Sequence, residues 1–122
     1  MEEIARKLNI NIYYGDSSFR FGNNIVLKKS SKQKEWQDFG HELCHVLWHE
    51  GNQLNMPLPF RDLQEWQSIN FAHHFCAPTF MLLELKDVNV YNIMETFNVD
   101  YCFAKKRMGM FVQRIFNGGV VI

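Results

Sequence analysis

Residues 38–53, DFGHELCHVLWHEGNQ, place His41, Glu42 and His45 within one short run. On an α-helix, residues four apart sit about 40° apart around the axis and roughly 6 Å apart along it. His41 and His45 can therefore aim two imidazoles at one ion. Glu42 lies about 100° round from His41, near the same point but poorly placed to bind beside both rings. Two nitrogen ligands and a carboxylate that takes a proton from water are the logic of the HExxH pattern. Chance would produce that pattern in roughly one such chain in a hundred, so a polar helix that merely carries histidines is the competing reading.

A catalytic zinc also needs a third protein ligand and an open position for water. His49 is one turn beyond His45, but three imidazoles along one straight helix do not converge easily on a tetrahedral ion. The longer pattern HExxHxxGxxH requires glycine and histidine where this chain has Trp48 and Gly51, so it is rejected. Glu65 stands twenty residues after His45, on the next expected helix. The intervening GNQLNMPLPFR is long enough for that helix to turn Glu65 toward the two histidines. A His-His-Glu shell with one open position is a hydrolytic zinc site.

Other side chains near the pattern carry weaker expectations. Asp38 precedes His41 by three residues and is a candidate partner for its second ring nitrogen. His49 and His73 are candidates to stabilise a developing oxyanion, set against ordinary solvent-facing or core histidines; His74 points away from Glu65's side. Cys44 reads as a small buried residue rather than an alternative ligand, and Trp36, Trp48 and Trp66 as packing residues.

These groups need a scaffold. EEIARKL (2–8) reads as a short amphipathic helix. INIYY (10–14), FRF (19–21) and IVL (25–27) read as strands separated by GDSS and GNN turns. KKSSKQK (28–34) is a solvated Lys-rich link. From about Ser31 the apolar spacing becomes helical, through Trp36, Phe39, Leu43, Val46 and Leu47, with Gly51 as a stop. MPLPF (56–60) is expected to be a loop. Residues 61–77 form a second helix ended by Pro78, TFMLLEL a short buried one, and VYNIMETF with DYCFAKKRMGMFVQRIF a final helical pair. Ile25–Leu27, just before the histidine helix, is the candidate edge strand for an extended peptide.

The chain has 122 residues, 47% of them hydrophobic and 15% aromatic, enough for one core. Its formal net charge is zero, so nothing overall draws it to nucleic acid or anionic lipid. Cys44, Cys76 and Cys102 are odd in number and widely spaced, which suits a reducing compartment rather than a disulfide framework. The opening MEEIARKLNI lacks the basic and apolar regions of a signal peptide, and the apolar run 75–83 is too short to span a bilayer. A cytoplasmic protein is expected.

HELCH at 41–45, followed by EWQSINFAHHFCAP at 65–78, resembles the ImmA/IrrE family of metallopeptidases, small zincins often encoded beside phage-type repressors. That family carries HELGH on one helix. On the next it carries a Glu followed by Ala-Asn-x-Phe-Ala-x-x-Leu-Leu-x-Pro. Phe71, Ala72 and Pro78 fall on the family positions, and Glu65 on the Glu expected to bind zinc. Cys44 replaces the usual Gly, and Ser68 and Ile69 replace Ala-Asn. FNVDYCFAKKRM (97–108) is similar to the family's Phe-x-Val-Ser…Arg-Leu element, with Asp100 in the Ser position. The resemblance covers about residues 2–110. With the spacing, it leads to an α+β fold: a three-stranded meander sheet on a helical zincin-like core, with a C-terminal helical pair, in one domain of 1–122.

The expected chemistry is peptide hydrolysis at zinc held by His41, His45 and Glu65, with Glu42 as the catalytic base. The resemblance alone implies the substrate, a helix-turn-helix repressor of a phage or mobile element. Two alternatives stand. Residues 98–114, with Lys105, Lys106, Arg107 and Arg114 and no acid after Asp100, have a helix-turn-helix flavour that suits nucleic-acid binding. A zinc-binding interaction protein without peptidase activity is the other. Neutral overall charge and abundant Phe and Met argue against nucleic acid, and an intact Glu42 argues against the last.

Overall fold

Ser31 begins the helix that carries the histidine pair. Its extended backbone (φ −64°, ψ 157°) and its Oγ, which accepts the Lys34 N–H at 3.1 Å, cap α2 (Lys32–Trp48). A Ser cap satisfies an amide that the helix itself cannot reach. The buried Glu35 reinforces the entry by accepting the Ser30 N–H at 3.0 Å. The Lys-rich link therefore shrinks to residues 29–31, because Lys28 ends the preceding strand and Lys32 to Lys34 already belong to the first turn. The computed structural model describes residues 1–49 and 56–116. Gly51, the expected helix stop, lies outside them. The chain divides into two compact units, Met1–Ala72 and His73–Ile122.

In the first unit, α1 (Glu2–Lys7) is followed by β1 (Asn11–Gly15), β2 (Phe19–Phe21) and β3 (Asn24–Lys28). The α+β class and the three strands are as expected; the connectivity is not. The sheet order is β1-β3-β2, with β1 parallel and β2 antiparallel to β3, so the sheet is mixed and not a meander. Burial explains the order. β3 holds Ile25 and Leu27, both fully buried, whereas β1 and β2 are mostly exposed. The strand with most apolar surface to hide takes the middle. This also overturns the reading of Ile25–Leu27 as an edge: its backbone is paired on both sides, and the open edges belong to β1 and β2.

Register then decides which side chains face α2. Ile12, Ile25 and Arg20 are paired across the three strands and so share a face. Arg20 is thereby turned toward the end of α2, where it donates to the carbonyl of His49 at 2.8 Å. α2 packs against β3 and buries Phe39, Leu43 and Cys44, all essentially inaccessible.

α3 (Leu58–Cys76) starts earlier than expected. The prolines at 57 and 59 predict a loop through Leu58, Pro59 and Phe60, yet these three form its first turn. Pro57 supplies the opening carbonyl, accepting from the N–H groups of Phe60 and Arg61 at 3.1 Å each. A first-turn proline loses no helical hydrogen bond, because its missing N–H would have had no partner there.

In the second unit, α4 (Thr79–Leu82) precedes α5 (Val90–Phe97) and α6 (Tyr101–Phe116), the expected C-terminal pair. Asn98 ends α5 in the left-handed conformation (φ 54°), as asparagine can. Asp100 starts α6 by accepting the Phe103 N–H at 2.8 Å. A cap needs only a short oxygen-bearing side chain, so Asp serves where the family has Ser.

Arg107 is the largest fully buried side chain among the described residues. Its Nε donates to the Ala77 carbonyl and an Nη to Thr79 Oγ1, both at 2.8 Å. Burial and, less so, Arg114 pull its pKa down to about 10. Arg107→Ala removes this clasp, opens a cavity and strands two acceptors. A loss of about 3 kcal/mol is expected, read as a drop in thermal midpoint on the order of 10 °C.

Candidate metal centre

The three residues that sequence spacing joined to one helix and the next are brought together within the first unit. His41 Nε2 lies 2.9 Å from Glu65 Oε2, and His45 Nε2 lies 3.1 Å from Glu65 Oε1. One carboxylate from α3 thus spans two rings from α2. The rings themselves are 5.3 Å apart between centroids, edge to face. Glu42 belongs to the same cluster: single donor atoms of His41, Glu42 and His45 all lie within 4.8 Å of one another.

The donor set suits a small divalent cation. Tetrahedral zinc with bonds of about 2.0–2.1 Å sets its ligand atoms roughly 3.3 Å apart. The two Nε2–Oε separations need open by only a few tenths of an ångström. Exposure is graded around the cluster. The side chain of His45 is 4% exposed, that of His41 27% and that of Glu65 38%. One ligand candidate is sealed in the core, and two remain partly exposed.

Electrostatics follow from this placement. Burial is the main reason that Glu42 is pushed up to about pH 7, with Glu65 and Asp38 adding repulsion and Arg20 opposing them. Burial likewise brings His45 down to about 4; His41, His49 and Arg20 act in the same direction, and Glu65 resists. A neutral imidazole is the form that binds a cation. Burial thus favours the neutral forms of both Glu42 and His45.

The remaining candidates separate cleanly. Asp38 accepts from Ser18 Oγ at 3.2 Å and pairs with Lys34 at 2.9 Å; among the described residues it makes no bond to His41. His73 belongs to the second unit and stacks flat on Phe103, 4.1 Å between centroids, while His74 is exposed. Cys44 is buried and its thiol bonds to Ser68, so it is the small core residue expected. Cys44, Cys76 and Cys102 are all free. His49 is neither a third ligand nor solvent-facing: it is buried behind His45, against that ring's Nδ1.

Sequence reasoning passed over the supporting role of two residues. Ser68 is fully buried with Oγ 3.2 Å from His45 Nε2, and Gln67 Oε1 lies 2.8 Å from His49 Nε2. For Ser68 a signal existed. It follows Glu65 by three residues, and such pairs share a helix face. Gln67 had none, since it reaches inward from the flank of that face.

Residues 6–108 match the Peptidase_M78 family model, described as an IrrE N-terminal-like domain. The phage-like element PBSX protein XkdA of Bacillus subtilis (strain 168) is 42% identical over 125 aligned positions, covering 93% of this chain and 63% of XkdA. The uncharacterized protein YqaB of the same strain is 34% identical over 125 positions, covering 93% of this chain and 73% of YqaB. The chain thus spans less than two thirds of XkdA's own length. No solved structure matches it.

Proposed function

Because the chain belongs to the Peptidase_M78 family as an IrrE N-terminal-like domain, we propose that it is a zinc-dependent endopeptidase working as one zincin-like domain. The observation that carries this reading is the contact of the two Glu65 carboxylate oxygens with the two histidine Nε2 atoms. His41, His45 and Glu65 would hold the ion, and the N, N, O donor set is the one a hydrolytic zinc site uses. When bound, zinc supplies the Lewis acidity that polarises a peptide carbonyl and brings water's pKa toward neutrality. Glu42, beside this cluster, accepts the water's proton and returns it to the departing amine.

An extended substrate would add to the outer edge of β2 or β1, since β3 is paired on both sides. The substrate class we propose is a helix-turn-helix repressor encoded beside the protein on a phage or mobile element. The likeness to a protein named for a phage-like element supports that setting, and the site of action would be the cytoplasm. No described helix is long and apolar enough to cross a membrane.

The nucleic-acid reading loses one of its four cations, because Arg107 is buried under Ala77 and Thr79 rather than turned outward. The decisive experiment incubates purified zinc-loaded protein with the neighbouring repressor and follows cleavage by mass spectrometry. Fragments from wild type and none from Glu42→Gln are expected. An intact repressor in both, with zinc bound, would leave the metal-binding interaction protein as the better reading.

A further inference from the structure

We propose that His49, backed by Gln67, is a positioning residue that determines which ring nitrogen of His45 is bare. The inference rests on His45 being a metal ligand.

The two nitrogens of His45 face different surroundings. Nε2 looks toward Glu65 Oε1 at 3.1 Å and Ser68 Oγ at 3.2 Å. Nδ1 is 2.9 Å from Nδ1 of His49. On its other side, His49 Nε2 is 2.8 Å from Gln67 Oε1. Two ring nitrogens at that separation share one proton, and each neutral ring carries only one. The chain of contacts therefore admits two arrangements. In the first, His45 donates from Nδ1, His49 accepts there and donates from Nε2 to the Gln67 oxygen, and His45 Nε2 is left bare. In the second, His49 donates to His45, whose own proton must then sit on Nε2. That atom is then closed to a cation, and Gln67 must present its NH2 group instead. Without a cation, Glu65 Oε1 at 3.1 Å, an acceptor, draws the His45 proton to Nε2; with a cation there, the Gln67 oxygen facing His49 supports the first arrangement. That arrangement opens Nε2 on the side of Glu65.

His49 is built for this position. It ends α2 with extended backbone (φ −116°, ψ 124°), its N–H still bonded to the His45 carbonyl at 3.1 Å. Arg20 holds its carbonyl at 2.8 Å, and the residue is 6% exposed. The chain leaves the helix here while the ring turns back beneath His45. A side chain needed only to fill space would not require a nitrogen aimed at a nitrogen. Ligand histidines usually rest their second nitrogen on a carboxylate or carbonyl. Here a second imidazole does so and passes the choice on to an amide.

The test uses the full chain, zinc-loaded, at pH 8, with histidine rings labelled in nitrogen-15. Long-range proton–nitrogen correlation should show His45 protonated at Nδ1 and free of a proton at Nε2, and His49 protonated at Nε2. His49→Phe should scramble the His45 tautomer and weaken zinc binding by about 10–100-fold, the range for lost outer partners of a ligand, measured by competition with a chromophoric chelator. Gln67→Leu, at a half-buried position, should do the same to a smaller degree without disturbing the fold. Gln67→Glu, which can only accept, should keep the wild-type tautomer and affinity at least as tight. A wild-type spectrum with the proton on His45 Nε2 would overturn the inference, as would wild-type zinc affinity in both His49→Phe and Gln67→Leu. If His45→Ala binds zinc as tightly as wild type, the metal reading itself fails, and this inference with it.

Discussion

Glu42→Gln is expected to abolish peptide hydrolysis, by about 10²–10⁴-fold, and at the same time to raise the melting temperature of the metal-free protein. Both effects have one cause. The carboxyl is buried and its pKa is pushed up from 4.5 to about 7, first by burial and then by Glu65 and Asp38. In the unfolded chain it ionises near 4.5; in the folded, metal-free chain it resists until about 7. Folding therefore carries no penalty from Glu42 below pH 4.5. The penalty grows as pH rises through the window and is complete above about 7. A shift of this size corresponds to about 3 kcal/mol, and glutamine keeps the shape without the charge. The melting difference between variant and wild type should be near zero at pH 4 and reach about 10 °C at pH 8. Zinc should shrink it, because a cation beside the carboxylate favours its ionised form. A flat difference across that range, or retained hydrolysis, would remove Glu42 from the role of base.

A residue that costs stability where it is ionised is what a catalytic carboxylate should look like, since function is where local rules are broken. That cost was invisible in the sequence. HELCH showed that two rings and a carboxylate sit together, because helical spacing is fixed geometry. It could not show that Glu42 is buried, which depends on β3 and its neighbours covering α2. Glu65 was legible for a similar reason: a second helix with a carboxylate at a suitable distance is a pattern. Its start was misread, because prolines at 57 and 59 look like loop until a first turn is recognised as tolerating them. The strand order failed for a deeper reason. Neighbouring strands in sequence are assumed to pair, yet IVL, the most apolar strand, was the one to place in the centre. The link from His45 through His49 to Gln67 was least legible of all, since it requires a helix end to turn a ring backward.

Glu65→Ala should separate a metal centre from an ordinary polar contact between helices. If Glu65 is a ligand, its loss should cost more than the 10–100-fold typical of outer partners, so zinc affinity should fall by at least about 100-fold. Glu65→Gln should fare little better, because an amide keeps the hydrogen bonds but not the charge that holds a cation. The metal-free protein gives a second reading of the same substitution. Glu65 repels the Glu42 carboxylate and steadies a charged His45. Removing it should lower the pKa of Glu42 and lower that of His45 further, measurable by carbon and nitrogen resonances across a pH series. The competing reading makes the opposite demand on zinc. If Glu65 only ties α3 to two helix-borne histidines, then Glu65→Ala loosens the fold while zinc affinity, such as it is, stays put. The two outcomes diverge on one titration, because the same pair of 2.9 and 3.1 Å contacts is a ligand cage in one account and a pair of part-buried hydrogen bonds between helices, worth about 1 kcal/mol each, in the other.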